Sequence, residues 1–478
     1  MRNVALVTTD SLRADRCGAF GYDRPTTPTL SAMDGARFDA AWAPAPYTGA
    51  SIPSLLTGQL PMRDGSVLLG DRSTLPAFLD GYDTGAVHAN VQLPRFDYTR
   101  DFDAVFDCSD PHAAPSEGGP DGGDPIPATM RLKDAVWDQL QRSNTAATFA
   151  KDLYHRIAPV SIPYGTAATV TDAALSWLDD RDGDRPFFLW IHYMDTHHPY
   201  NVTREHFEAV SDRKWDPLRY SRVLERAVTD VRTGYTWSLD DDQRTYLGDA
   251  YDACIRRFDA ALARVRDALD LDETTLVVSA DHGEELWDHG HFGHAGRDTV
   301  PRSMTLYEEL LHVPLVIAGS SVSDTRVAEP VSLVDLVPTT LDIADREVPT
   351  DHELAGRSLR SYWEGDPPRD RAVVAEATEP GDPVDYASMD DERTRRLGAV
   401  RRGDWKLVRD GTGPDAETEL YDLAADPDER DPVGGETDRR ASLVAALDAA
   451  IDDSEPGDER LSTDADVEDR LKELGYLG

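Results

Sequence analysis

The chain has 478 residues, 40% of them apolar, with 49 Lys plus Arg against 90 Asp plus Glu and a formal net charge of −41. That apolar share in so long a chain supports a large core, so the acidity does not mark a disordered protein. The same charge argues against nucleic acid and against an anionic membrane surface as partners, and no membrane span is expected, since the one uncharged stretch longer than 18 residues, 40–62, carries four prolines. Only five of the basic residues are Lys (Lys133, Lys151, Lys214, Lys406 and Lys472), leaving 44 Arg. An acidic, Lys-poor surface suits a halophilic protein, because the Debye length falls to about 3 Å at 1 M salt and self-repulsion is screened. Met1-Arg2 runs directly into the apolar Val4–Val7, so a cytoplasmic, salt-rich location is expected. The three cysteines, Cys17, Cys108 and Cys254, are widely spaced and form no CxxC, which disfavours a disulfide framework and a zinc ribbon.

Taken in chain order, the first buried strand is Asn3-Val-Ala-Leu-Val-Thr-Thr9, ending at Asp10. In Pro46-Tyr-Thr48-Gly-Ala-Ser51-Ile-Pro53-Ser54-Leu-Leu-Thr57-Gly58, Pro53 fits a first helical turn and Gly58 a helix end. The helix is thus expected to start near Gly49 to Ser51, with Thr48 at or just before its N-terminus. Residues 107–166 read as a lid-like insertion, with 108–127 rich in Gly, Pro and Asp. A helix over 167–180 precedes a strand over Pro186–Ile191, which leads to Asp195 and His197. A helix over 243–269 precedes a strand over Thr274–Ser279, which ends at Asp281-His282, and Val313–Ala318 forms a fourth strand. From about 370, short apolar runs at Ala372–Ala375, Leu397–Val400 and Trp405–Val408 predict a small antiparallel sheet. Helices at 437–452 and 465–475 follow. The alternation of strands and helices implies an α/β fold with a mostly parallel sheet covered on both faces. The domains expected are a catalytic one at 1–365, a C-terminal subdomain at 366–430 and an acidic helical tail at 431–478.

Three of these strands deliver Asp or His at their carboxyl ends, where open α/β sheets bind ligands. Four of the 13 histidines (His282, His289, His291 and His294) crowd into 13 residues. Carboxylates with imidazoles suit a divalent ion such as Mn²⁺, Mg²⁺, Ca²⁺ or Zn²⁺, and the lack of nearby thiolates argues against a purely structural zinc. A Thr hydroxyl at a helix N-terminus can serve as a simple cap, or as a nucleophile if a metal activates it.

These residues occur within a wider set of ordered motifs. They include Asn3-Val-Ala-Leu-Val-Thr-Thr-Asp10-Ser, Ser54-Leu-Leu-Thr-Gly58, Asp195-Thr-His197-His-Pro-Tyr200 and Ser279-Ala-Asp281-His-Gly-Glu284. His289-Gly-His-Phe-Gly-His294, Leu306-Tyr-Glu-Glu309, Ser332-Leu-Val-Asp-Leu-Val-Pro338 and Glu419-Leu-Tyr-Asp-Leu423 continue the series. From residue 3 to 430 the chain resembles the sulfatase family of the alkaline phosphatase superfamily. The resemblance implies an alkaline-phosphatase-like α/β/α sandwich, one divalent cation, and a small-molecule or glycan ester of sulfate or phosphate as substrate. It implies Asp10, Asp281 and His282 as metal ligands, with Thr48 as a further ligand and the nucleophile. His197 matches a histidine that contacts the anionic group, and His294 a cation on the substrate or leaving oxygen. His88 and Asn90 fall near a family Lys/His pair that touches substrate, and His289 is a general-acid candidate from loop proximity.

The pattern also departs from the family. Sulfatases read Cys/Ser-x-Pro-x-Arg at the nucleophile and oxidise its first residue to formylglycine; the aligned stretch here is Thr48-Gly-Ala50-Ser-Ile52. Threonine cannot form that aldehyde hydrate, and Ser11 replaces the second carboxylate of the usual Asp-Asp pair. The expectation is therefore a metal-dependent hydrolase or transferase without formylglycine. Phosphodiesterase or phosphoglycerol-transferase-like chemistry and a catalytically silent binding homologue are the alternatives. A second metal stays open, with Asp195 and His197 or His198 as part of its set. The sequence leaves oligomeric state undefined.

Overall fold

The computed structural model describes residues 2–62, 69–110, 162–233, 239–294, 305–348, 352–365, 367–368, 370–379, 395–411, 416–435 and 437–451. Its centre is an eight-stranded sheet. We label the strands β1 (Asn3–Thr9), β2 (Ala36–Phe38), β3 (Asp83–His88), β4 (Ala104–Asp107), β5 (Phe187–Tyr193), β6 (Thr274–Ala280), β7 (Leu315–Ala318) and β8 (Thr325–Val327). Their spatial order is β8-β2-β7-β6-β1-β5-β3-β4. The pairings of β1 with β5 and β6, of β3 with β4 and β5, and of β2 with β8 are parallel, while β7 runs antiparallel to both neighbours. All seven side chains of β5 and all seven of β6 are buried. Since alternate side chains point to opposite faces, both faces of the sheet are covered, which is why these strands read as unbroken apolar runs. The helix α2 (Ala167–Asp179) packs on β3 and β5, and the long α3 (Asp241–Ala268) packs on α2. A capping box between Asp240 and Gln243 starts α3.

The four-stranded antiparallel sheet near the C-terminus comprises β9 (Ala372–Glu379), β10 (Arg395–Arg402), β11 (Trp405–Asp410) and β12 (Glu417–Asp422), paired in that order. Helix α4 (Asp438–Ala450) covers it, burying Leu443 and Leu447 against Val374, Val400, Leu407 and Leu420. The opposite apolar row, including Val373, Ala375, Leu397 and Ala399, packs with Trp42, Leu306 and Leu311.

Helix α1 spans Thr48–Thr57, so it begins at Thr48 and not at Gly49 to Ser51. Pro53 accordingly sits mid-helix, not in the first turn as its position suggested, and removes the N–H that the Gly49 carbonyl would receive. The Tyr98 hydroxyl donates to that carbonyl at 2.7 Å instead. Gly58 ends the helix at φ 70° as expected. Most of the insertion at 107–166 and the helix expected at 465–475 lie outside the described residues.

Candidate active site

The strand register sets the site. Thr9 lies beside Tyr193 on one side and Ala280 on the other, so β1, β5 and β6 end level with one another. The Asp10 amide donates to the Tyr193 carbonyl at 2.9 Å and the Asp281 amide to the Thr9 carbonyl at 3.3 Å. The three segments therefore turn out of the sheet together, and those after β1 and β6 bring Asp10, Asp281 and His282 to one point.

Thr48 reaches that point from the first position of α1. Its Oγ1 lies 3.0 Å from Asp10 Oδ2 and 3.2 Å from His282 Nε2. His282 Nε2 is also 3.7 Å from Asp10 Oδ1 and 3.6 Å from Asp281 Oδ2. His282 Nδ1 donates to the Gly283 carbonyl at 2.7 Å, which leaves Nε2 with its lone pair toward the carboxylates. The Ser51 hydroxyl donates to the Asp281 carbonyl at 2.6 Å, locking α1 against this turn. Gly283 is required: a Cβ there would meet the Glu309 carbonyl at 2.0 Å. The Gly283 and Glu284 amides donate to the Leu310 and Glu309 carbonyls at 2.8 and 2.9 Å.

Ser11, in the place of a carboxylate, has a clamping position. Its backbone is left-handed (φ 60°), an uncommon conformation for a non-glycine residue. Its amide donates to Asp281 Oδ1 at 3.2 Å and its hydroxyl to Asp10 Oδ1 at 2.6 Å. Asn90 Nδ2 donates to Asp10 Oδ2 at 3.0 Å, so this residue does join the site. His88 does not touch this group. It is fully buried at the end of β3, and its nearest charged partner is Asp107 at 3.8 Å.

Beside this centre stand three more imidazoles. His197, His198 and His294 present ring nitrogens within 4.8 Å of one another. His294 Nδ1 lies 3.0 Å from Glu284 Oε1 and His198 Nδ1 3.5 Å from Glu284 Oε2, while His197 Nδ1 donates to the His198 carbonyl. The ring centroids of His282 and His294 are 4.4 Å apart, so the two groups adjoin. Asp195 is not part of either: its carboxylate is buried 3.3 Å from the Arg257 guanidinium. His289 is also engaged elsewhere, with Nδ1 2.6 Å from Glu309 Oε1 and Nε2 3.3 Å from the Glu429 carbonyl. Both nitrogens face oxygen acceptors, despite its burial the Glu309 carboxylate raises the imidazole above its usual value, and the ring stacks on Tyr307 and is not aimed at the site.

Burial would push the Asp10 carboxyl up, but the imidazoles of His197, His282, His294 and His192 outweigh it and hold Asp10 below the ordinary carboxylate range. Burial, reinforced by the Asp10 charge, pushes Asp281 up to about 7. Glu284 falls to about 2 despite its burial, because His294 and His198 flank it. Two buried carboxyl groups this close, one pushed up by the other's charge and with its Oδ2 atom without a hydrogen-bond partner among the described residues, suit a cation between them. Carboxylates plus imidazoles fit a divalent metal ion, and Asp10, Asp281, His282 and the Thr48 hydroxyl are the groups that would hold it.

Sequence reasoning gave Glu284 and His192 no role. His192 is a buried polar residue on β5 whose Nε2 lies 3.9 Å from Asp10 Oδ2. The signal available was a histidine inside an otherwise apolar strand, three residues before Asp195.

The comparisons agree with this architecture. The sulfatase family model matches residues 2–346. The chain is 25% identical to N-acetylglucosamine-6-O-sulfatase of Bacteroides thetaiotaomicron, over 91% of this chain and 83% of that protein. It is 26% identical to human arylsulfatase K over 54% of this chain, a match that spans only 50% of that protein. Among solved structures, one in complex with its substrate D-glucosamine-2-N,6-O-disulfate superimposes with a TM-score of 0.64, 18% identity and coverage of 99% of this chain and 98% of that one. Phosphonate monoester hydrolase of Agrobacterium radiobacter gives 0.61 at 19% identity, covering 94% of each chain. With a matching family model over most of its length and these neighbours around it, the chain belongs to the sulfatase family, enzymes of the alkaline phosphatase superfamily.

Proposed function

We propose that this sulfatase-family enzyme cleaves or transfers an anionic sulfate or phosphate ester through the hydroxyl of Thr48, without formylglycine. The observation that carries this reading is the position of Thr48 Oγ1 at the start of α1, 3.0 Å from Asp10 Oδ2 and 3.2 Å from His282 Nε2. A divalent ion bound by Asp10, Asp281, His282 and Thr48 would acidify that hydroxyl and neutralise charge on the ester. Asp10 accepts the hydroxyl hydrogen bond and orients the oxygen; Asn90 and Ser11 hold the Asp10 carboxylate in place. His197 and His294 face the anionic group of the substrate. The Thr48 proton passes to solvent as its oxygen forms the bond to sulfur or phosphorus and the ester bond breaks, and the imidazolium form of His294, steadied through Nδ1 by Glu284, gives a proton to the departing ester oxygen. It then takes a proton from water, or from an acceptor hydroxyl, in the second half. The names of the relatives support an ester carried on a sugar.

A second reading concerns metal number. The His197–His198–His294 group is backed by one carboxylate, Glu284, as metal-bound imidazoles commonly are. Metal content after saturation separates one ion from two.

Thr48→Ala is expected to lower turnover of nitrophenyl sulfate, phosphate monoester or diester by about 10³-fold or more, as loss of a nucleophile does. Turnover unchanged on the responsive ester sinks the proposal. Wild-type protein that binds no divalent ion at any concentration favours the catalytically silent alternative.

A further inference from the structure

We infer that His192 is an additional protein ligand of the metal ion, through Nε2, and that Thr8 fixes the tautomer that makes it one. This rests on the metal site proposed above and adds a residue to it. In register, His192 on β5 lies beside Thr8 on β1, two residues before Asp10. His192 Nδ1 is 2.9 Å from Thr8 Oγ1. That oxygen also accepts the Trp190 indole N–H at 2.9 Å, and its own hydrogen has the Ile191 carbonyl as acceptor at 3.4 Å. All three contacts are satisfied together only if Thr8 accepts from Nδ1, because a hydroxyl has one hydrogen to give. The proton then sits on Nδ1, and Nε2 carries a lone pair.

That Nε2 atom is fully buried and has no hydrogen-bond partner among the described residues. Asp281 Oδ2 is in the same condition, and Asp10, His192 and Asp281 each offer a ligand atom within 4.8 Å of the others. Two donors held about 2.1 Å from one ion lie at most about 4.2 Å apart. The 3.9 Å from His192 Nε2 to Asp10 Oδ2 and the 3.7 Å from His282 Nε2 to Asp10 Oδ1 both fall inside that limit. A lone pair aimed into a carboxylate pair is repulsive unless a cation lies between them. Two imidazoles in place of one also tilt the donor set from Ca²⁺ and Mg²⁺ toward Zn²⁺ or Co²⁺.

The test is binding of the metal alone, by chelator competition for Zn²⁺ and Mg²⁺ and by the visible absorption of the Co²⁺ form, on folded full-length protein. His192→Ala is expected to weaken Zn²⁺ by about 100-fold or more, Mg²⁺ by far less, and to shift the Co²⁺ bands. Thr8→Val, which keeps the shape but frees Nδ1, is expected to weaken Zn²⁺ by about 10-fold or more and decides the matter if His192→Ala does not fold. Unchanged Zn²⁺ affinity and unchanged Co²⁺ bands in either folded variant overturn the inference. Asp281→Ala is the control: loss of metal there, with retention in His192→Ala, rejects His192 alone. A wild-type protein without metal affinity rejects the site itself.

Discussion

Ser11 shows how a lost charge can be replaced by geometry. Where sulfatases place a second carboxylate, this chain uses a serine whose amide and hydroxyl tie Asp281 to Asp10. Ser11→Ala and Asn90→Ala are each expected to weaken divalent-metal affinity by about 10–100-fold, the usual effect of removing a group that orients a ligand, and isothermal titration reads it directly. Unchanged affinity in both would show that Asp10 needs no external support. Asp10, Thr48, Asp281 and His282 were legible in the sequence because each follows a strand or opens a helix, where position along the chain fixes position in space. Glu284 and His192 were not. Their roles depend on which residue of a neighbouring segment lies opposite, and one chain's periodicity does not carry that. His289 was misleading for the same reason, since its neighbours in sequence enter the site while its own ring pairs with Glu309.

At the scale of elements, α1 holds the Thr48 hydroxyl through an unusual arrangement, a proline five residues on whose missing N–H is replaced by a tyrosine. Tyr98→Phe leaves the buried Gly49 carbonyl unpaired and is expected to cost about 1–3 kcal/mol in denaturant melts. In a Pro53→Ala background, where a backbone N–H returns, that cost shrinks; equal costs in the two backgrounds would contradict the account. The central strands were readable as apolar runs. The direction of β7 was not, because a buried run reads the same way whichever neighbour it opposes, and the three-residue strands β2 and β8 are too short to show any period. A buried charge cluster ties the C-terminal sheet to the short helix Glu308–Leu311: Lys406 lies 3.1 Å from Glu308 and 2.7 Å from Glu429, and Arg401 2.7 Å from Glu308. Burial would raise the Glu308 carboxyl, but Lys406 and Arg401 hold it at about 2. A depressed folded-state value stabilises above the ordinary carboxylate pKa and is lost as pH falls toward 2. Thermal melts between about pH 5 and pH 3 should therefore show a smaller drop for Glu308→Gln than for wild type; an equal drop assigns acid sensitivity elsewhere.

For the whole molecule, the −41 charge and the five lysines describe an envelope that repels itself in dilute buffer. Melting temperature and activity are expected to rise as KCl goes from about 0.1 M to several molar, where the Debye length falls from about 10 Å to below 3 Å. A clear optimum in dilute buffer would refute a halophilic design. The Glu308 cluster bears on how such a protein can be altered by recombination. The same short helix that carries Glu308 supplies the Glu309 and Leu310 carbonyls that seat Gly283 and Glu284 next to Asp281 and His282. A chimera that took its C-terminal sheet from another family member would have to bring an ammonium and a guanidinium to the same two points. Failing that, it would strand a buried carboxylate at a cost of about 3–5 kcal/mol, next to the carbonyls that seat Gly283 and Glu284. The small sheet and the segment beneath Gly283 and Glu284 are thus one heritable piece, and parts cannot be exchanged freely between them.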